Sequence, residues 1–169
     1  DFAPPPPEWS TESTEGTKNP LPSLMRGVIG RESDLNWLAM ELDPRDDSRP
    51  RLWSVTGPGG IGKSIYALSL AHRLLSAYYG WIRVVNVEQT TDPSVALATV
   101  CEAFGLTRGS VEENYARLAE HLANRPALLV LDGYEQLVDK EPSLALRLAQ
   151  EIPSLRILAT SRRRLGLHV

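Results

Sequence analysis

Cysteine is almost missing from this sequence. Cys101 stands alone among 169 residues, so no internal disulfide can form and nothing points to an oxidising compartment. Long apolar runs are missing too: stretches such as Ala127 to Leu131 are far too short to cross a bilayer. There is no surplus of positive charge either. The 18 Lys and Arg against 21 Asp and Glu leave a net charge of −3, the opposite of a domain built to grip a phosphate backbone, so direct nucleic-acid binding is not expected. The N-terminus offers Pro4 to Pro7 and Glu8 where a signal peptide has a basic stretch followed by an apolar one. A cytoplasmic protein, with no membrane partner, is the expectation by elimination. The first residue is Asp1, not Met, and the expectation is a piece of something longer.

What is present divides unevenly. Residues 1–23 are rich in Pro, Ser, Thr and Glu and hold little that builds a core, so they read as an extended or disordered linker. Residues 24–169 carry alternating helix and strand signals, the pattern of a parallel sheet covered by helices. Leu35, Leu38, Ala39 and Leu42 repeat at helical spacing, and Leu52 to Thr56 forms a short strand. The next helix is striped by Ile65, Leu68, His72 and Leu75, with Ala67, Leu70, Ala71 and Leu74 beside them. Ile82 to Val87 reads as a strand, and Asp92 caps a helix with Pro93 in its first turn. Ser110 and Glu113 form a capping box. Ala127 to Leu131 is a buried strand; a helix over Leu144 to Ile152 and a strand from Leu155 to Ala159 follow. His72 and the tryptophans Trp37, Trp53 and Trp81 read as packing residues.

The chemistry concentrates in Gly57-Pro58-Gly59-Gly60-Ile61-Gly62-Lys63-Ser64, which fits the Walker A pattern. Its glycines let the backbone curl so that consecutive N–H groups face phosphate oxygens. The helix that starts there adds its positive end. Lys63 supplies a point charge for the β and γ phosphates of ATP or ADP, and the Ser64 hydroxyl a ligand for Mg²⁺. Leu128 to Asp132 is an apolar strand ending in a carboxylate, the Walker B form, which makes Asp132 the second metal residue. Thr160-Ser161-Arg162 follows the last strand. Arg162 reads either as a contact to the γ-phosphate or, with Arg163 and Arg164, as a solvated basic patch.

Four motifs occur in order: Gly27-Val28-Ile29-Gly30-Arg31-Glu32, the glycine loop, Leu128 to Asp132, and Leu158-Ala159-Thr160-Ser161-Arg162. Together they resemble the STAND class of signal-transduction ATPases, near the NB-ARC type. The composition is similar to that of large bacterial transcriptional regulators of the antibiotic-regulatory and LuxR-like kinds. The resemblance implies a three-layer α/β P-loop NTPase of the additional-strand type, with the Arg156 strand between the P-loop strand and the Asp132 strand. It implies that Ile29 and Arg31 hold adenine and that Arg162 senses the γ-phosphate. It also implies a chain truncated before a fifth strand, a helical lid and a winged-helix domain, with homo-oligomers forming in the ATP state.

One position departs from that pattern. Relatives often carry a second acid after the Walker B aspartate, and Gly133 stands there instead. Glu135 is the nearest substitute as a catalytic base, with a capping or surface glutamate as the alternative reading. Three functions remain open at this point: a regulatory ATP/ADP switch with slow hydrolysis, an AAA-type mechanical or replicative ATPase, and a scaffold that holds nucleotide without hydrolysing it. For the chain as it stands, weak binding of similar strength for ATP and ADP, negligible hydrolysis with steady-state turnover well below ~1 s⁻¹, and self-association through the exposed edge of the Leu52 strand are expected.

Overall fold

The computed structural model describes residues 21–24, 28, 30–140 and 143–165. Most of the expected linker, and Ile29 of the adenine box, lie outside the described residues. Among the described residues, five helices and four strands follow in the order α1 (Glu32–Glu41), β1 (Leu52–Thr56), α2 (Lys63–Leu74), β2 (Ile82–Asn86), α3 (Pro93–Ala103), α4 (Val111–Leu122), β3 (Ala127–Asp132), α5 (Leu144–Glu151) and β4 (Leu155–Ser161). A short 3₁₀ turn over Tyr134–Gln136 follows β3.

All pairings are parallel and the strand order is β1-β4-β3-β2. The last strand is thus inserted between the glycine-loop strand and the Asp132 strand, the order the resemblance implies. β3 and β4 are central. Their residues are buried from Ala127 to Leu131 and from Leu155 to Ser161, which explains their unbroken apolar character. Alternate residues of β3 face opposite layers. Leu128 and Val130 join α1 and α2 through Leu35, Leu38, Leu70 and Ala71. Leu129 and Leu131 join α3, α4 and α5 through Leu97, Val100, Leu118 and Leu148.

Local signals set the helix ends. The Asp92 side chain accepts from Ser94 N at 2.8 Å with Pro93 at the first helical position, and both halves of the Ser110–Glu113 capping box form. Two packing expectations need correction. The buried face of α2 is Tyr66, Ala67, Leu70, Ala71 and Leu74, while Ile65 is 48% exposed, because the sheet meets the helix one residue further round than the stripe suggested. Trp37 is 52% exposed and touches Trp53 edge-on at 5.4 Å, so it lies outside the core. Trp81 is buried as expected, and His72 Nε2 lies 2.9 Å from the Pro22 carbonyl oxygen. Among the described residues, no helix is long and apolar enough to cross a membrane.

Candidate functional site

In a parallel sheet every strand delivers its carboxyl end to one edge, and the loops there form the crevice where ligands bind. Here the glycine loop after β1, Glu88 after β2, Asp132 and Gly133 at the end of β3, and Thr160 and Arg162 at the end of β4 line one cleft of about 280 Å³. A larger cleft, about 960 Å³, lies at the amino ends of the strands beside Arg49, Arg51, Arg125 and Arg156. It has no glycine loop and no helix that begins beside one, so volume alone does not locate the chemistry.

The loop is shaped by backbone that only glycine adopts easily. Gly62 sits at φ +90° as the residue before α2, and no side chain caps that helix. The first N–H groups of α2 therefore remain turned toward the loop with the positive end of the helix dipole behind them. No acidic residue occupies the first turn. Lys63 opens the helix and folds back over the loop, donating to the carbonyls of Gly57 at 2.8 Å and Pro58 at 2.7 Å. The Gly57 N–H donates to the Ser161 carbonyl at 3.2 Å, tying the loop to the end of β4. Ile61 is exposed.

Two hydroxyls converge on one carboxylate oxygen. Ser64 Oγ donates to Asp132 Oδ1 at 2.8 Å and Thr160 Oγ1 donates to the same atom at 2.5 Å. Thr160 also accepts from the Gly133 N–H at 3.0 Å, so β4 locks the end of β3. A hydroxyl beside a carboxylate is a set of hard oxygen donors and fits Mg²⁺, which keeps waters and phosphate oxygens as its remaining ligands. Among the described residues no group of three or more His, Cys, Asp or Glu is placed to hold a metal ion.

Arg162 reaches into this cleft and does not stand in a free basic patch. Its Nη2 donates to Glu88 at 2.7 Å, its Nε lies 3.3 Å from Glu135, and its backbone N–H donates to Glu135 at 3.4 Å. The guanidinium lies against Gly59, where an added Cβ would meet Arg162 Nε at 3.7 Å. Arg163 instead pairs with Asp139. Arg31 lies apart from the phosphate cleft, in a separate cleft of about 410 Å³ with Trp37, Trp53 and Tyr66. Cys101 is fully buried, and that burial pushes its thiol up to about 11, away from the thiolate that a nucleophile needs.

Glu88 is the residue the sequence reading passed over. No motif marks it, and only the pairing of β2 with β3 brings it beside Gly133. Gly133 has φ +78°, and a Cβ added there would stand 2.7 Å from the Glu88 Cβ and 3.0 Å from its Cα. Gly133→Ala is therefore expected to cost about 1–3 kcal/mol. Urea denaturation checks this, and an unchanged midpoint would mean that the turn relaxes freely.

The fold is that of the P-loop NTPases, an α/β parallel sheet covered on both faces. Similar solved structures include the Aeropyrum pernix ORC2 protein in ADPNP–ADP complexes, with a TM-score of 0.62 and 16% identity, covering 80% of this chain and 42% of that one. Cdc6p from Pyrobaculum aerophilum gives 0.60 at 17% identity, covering 83% of this chain and 41% of that one. At such identities the likeness concerns the fold alone.

By sequence, the chain is 32% identical over 117 residues to a Mycobacterium tuberculosis protein that bears the name of an HTH-type transcriptional regulator. That match covers 69% of this chain and 13% of the relative. It is 30% identical over 145 residues to an uncharacterized protein of the same organism, covering 85% of this chain and 35% of the relative. The chain thus spans a minor part of the curated relatives it matches. No family model matches it.

Proposed function

We propose that this chain is the nucleotide-binding module of a regulatory ATPase of the STAND class, near the NB-ARC type, in which ATP or ADP occupancy shifts the arrangement of attached domains. The observation that carries this reading is the convergence of Ser64 and Thr160 on Asp132 beside Lys63 and Arg162, all in one cleft. Bound Mg²⁺ would be held by Ser64 and Asp132 and would neutralise charge on the β and γ phosphates. Lys63 would exchange two neutral carbonyl partners for charge-assisted bonds to phosphate. Arg162, beside the loop, can bias an equilibrium only through contacts that differ between ATP and ADP, which makes the γ-phosphate its target.

The identity to a protein named as a transcriptional regulator supports a switch whose output is transcription. The remaining partners in this reading are a helical lid, a winged-helix domain and, in the ATP state, further copies of the chain. A second reading, an AAA-type mechanical or replicative ATPase, is favoured by the likeness of fold to ORC2 and Cdc6p. Gly133 in place of an acid adjacent to Asp132 speaks against it.

Calorimetric titration of Mg·ATP and Mg·ADP into the chain tests the reading. One saturable site for each nucleotide is expected, and no binding up to millimolar nucleotide would overturn it. Arg162→Ala should weaken ATP binding several-fold more than ADP binding. Equal losses would return Arg162 to the status of a surface charge.

A further inference from the structure

The chain lacks an acid after Asp132, yet hydrolysis needs a group that takes a proton from the attacking water. Two carboxylates lie within reach, Glu88 and Glu135, and both hold Arg162. Their surroundings differ. The Glu135 side chain is 12% exposed, and its two oxygens face the Nε and the backbone N–H of the same arginine. Both glutamates line the cleft with Lys63, Ser64 and Asp132, but the Glu88 side chain is 43% exposed. Only its Oε1 is engaged, by Arg162, while Oε2 accepts no hydrogen bond from any described residue.

We propose that Glu88 is the catalytic base of this site and that Glu135 is a positioning residue acting through Arg162. The inference rests on the ATP-hydrolysing reading given above. Its main support is the fit between Glu88 and Gly133. The backbone and Cβ of Glu88 occupy the volume that any side chain at 133 would need, with approaches of 2.7 to 3.2 Å. A carboxylate after Asp132 and a residue packed as Glu88 is packed exclude each other. The glycine admits Glu88 to the edge of β3, and the acid enters the cleft from the neighbouring strand.

In the step assigned to Glu88, the water oxygen attacks the γ-phosphorus of ATP. The bond from that phosphorus to the β–γ bridging oxygen breaks, and ADP leaves with the electron pair. One proton of the water passes to Glu88 and then to bulk solvent or the departing phosphate. Arg162 holds Glu88 through Oε1, which leaves Oε2 to face the water. Because Arg162 also lies against Gly59 of the loop, one cation links the base to the phosphate cradle.

The test is single-turnover hydrolysis of radiolabelled Mg·ATP with protein in excess, together with ATP affinity. It compares the wild-type chain with Glu88→Gln and Glu135→Gln, and takes Lys63→Ala as background. Glu88→Gln, nearly isosteric, should slow hydrolysis roughly a hundredfold or more while ATP affinity stays within about threefold. Glu135→Gln should alter the preference for ATP over ADP, through Arg162, and slow hydrolysis less than Glu88→Gln does. Two results would overturn the proposal while sparing nucleotide binding. One is Glu88→Gln hydrolysing within about threefold of wild type. The other is a wild-type chain that binds ATP but turns it over no faster than the background. A wild-type chain that binds no nucleotide would take down both this assignment and the function it rests on.

Discussion

Lys63→Ala is expected to lower affinity for both ATP and ADP by roughly a hundredfold or more, the worth of two or more charge-assisted hydrogen bonds. Lys63 is the only cation within the glycine loop's own sequence, and it sits at the first position of α2 with its ammonium over the loop. Its present partners, the carbonyls of Gly57 and Pro58, belong to a half-buried and an exposed residue, where water can replace the lost donor. Stability should therefore change little, and a thermal melt close to wild type separates lost binding from lost fold. Calorimetry showing affinity within a few-fold of wild type would remove the phosphate-binding assignment of the loop.

The largest effect on stability is expected from Leu129→Ala. Leu129 lies in the middle of β3, fully buried, and is paired across the sheet with Arg83 on one side and Ile157 on the other. Neighbours on both strands hold the backbone, so the sheet cannot close over the missing side chain. A cavity remains, and a loss of about 2–5 kcal/mol follows from lost transfer energy plus that cavity. Against a total of about 5–15 kcal/mol for an ordinary domain, this is a large fraction. The consequence reaches the site, because the same strand ends in Asp132. Urea denaturation measures it. A loss under about 1 kcal/mol would show that the face of α3, α4 and α5 repacks more readily than so dense a core should.

The same strand shows a local pattern that points to a long-range contact. An apolar run ending in a carboxylate, placed after a glycine loop, is a local pattern, and β3 places Asp132 within hydrogen-bond distance of Ser64, 68 residues earlier. Thr160 stood in a sequence motif as well, but its bond to Asp132 depends on β4 inserting beside β3. The helix faces were legible only in part. Hydrophobic spacing marks α2 as a helix, yet Ile65 and Tyr66 are both apolar enough to face inward. The angle at which the helix meets the sheet chose Tyr66.

What the sequence alone determined is whatever a short stretch of backbone decides for itself. The curl of the loop from Gly57 to Ser64, the caps at Asp92 and Ser110, and the buried character of β3 and β4 belong here, because glycine freedom, cap hydrogen bonds and apolar runs act over a few residues. The pairing of Arg162 with Glu88 spans 74 residues, and the packing of Glu88 against Gly133 joins separate strands. Neither leaves a periodicity or a motif. They exist only because parallel strands β2, β3 and β4 end side by side, which brings charges from distant stretches to one edge. That edge, a product of topology, brings Glu88 and Glu135 to one cleft.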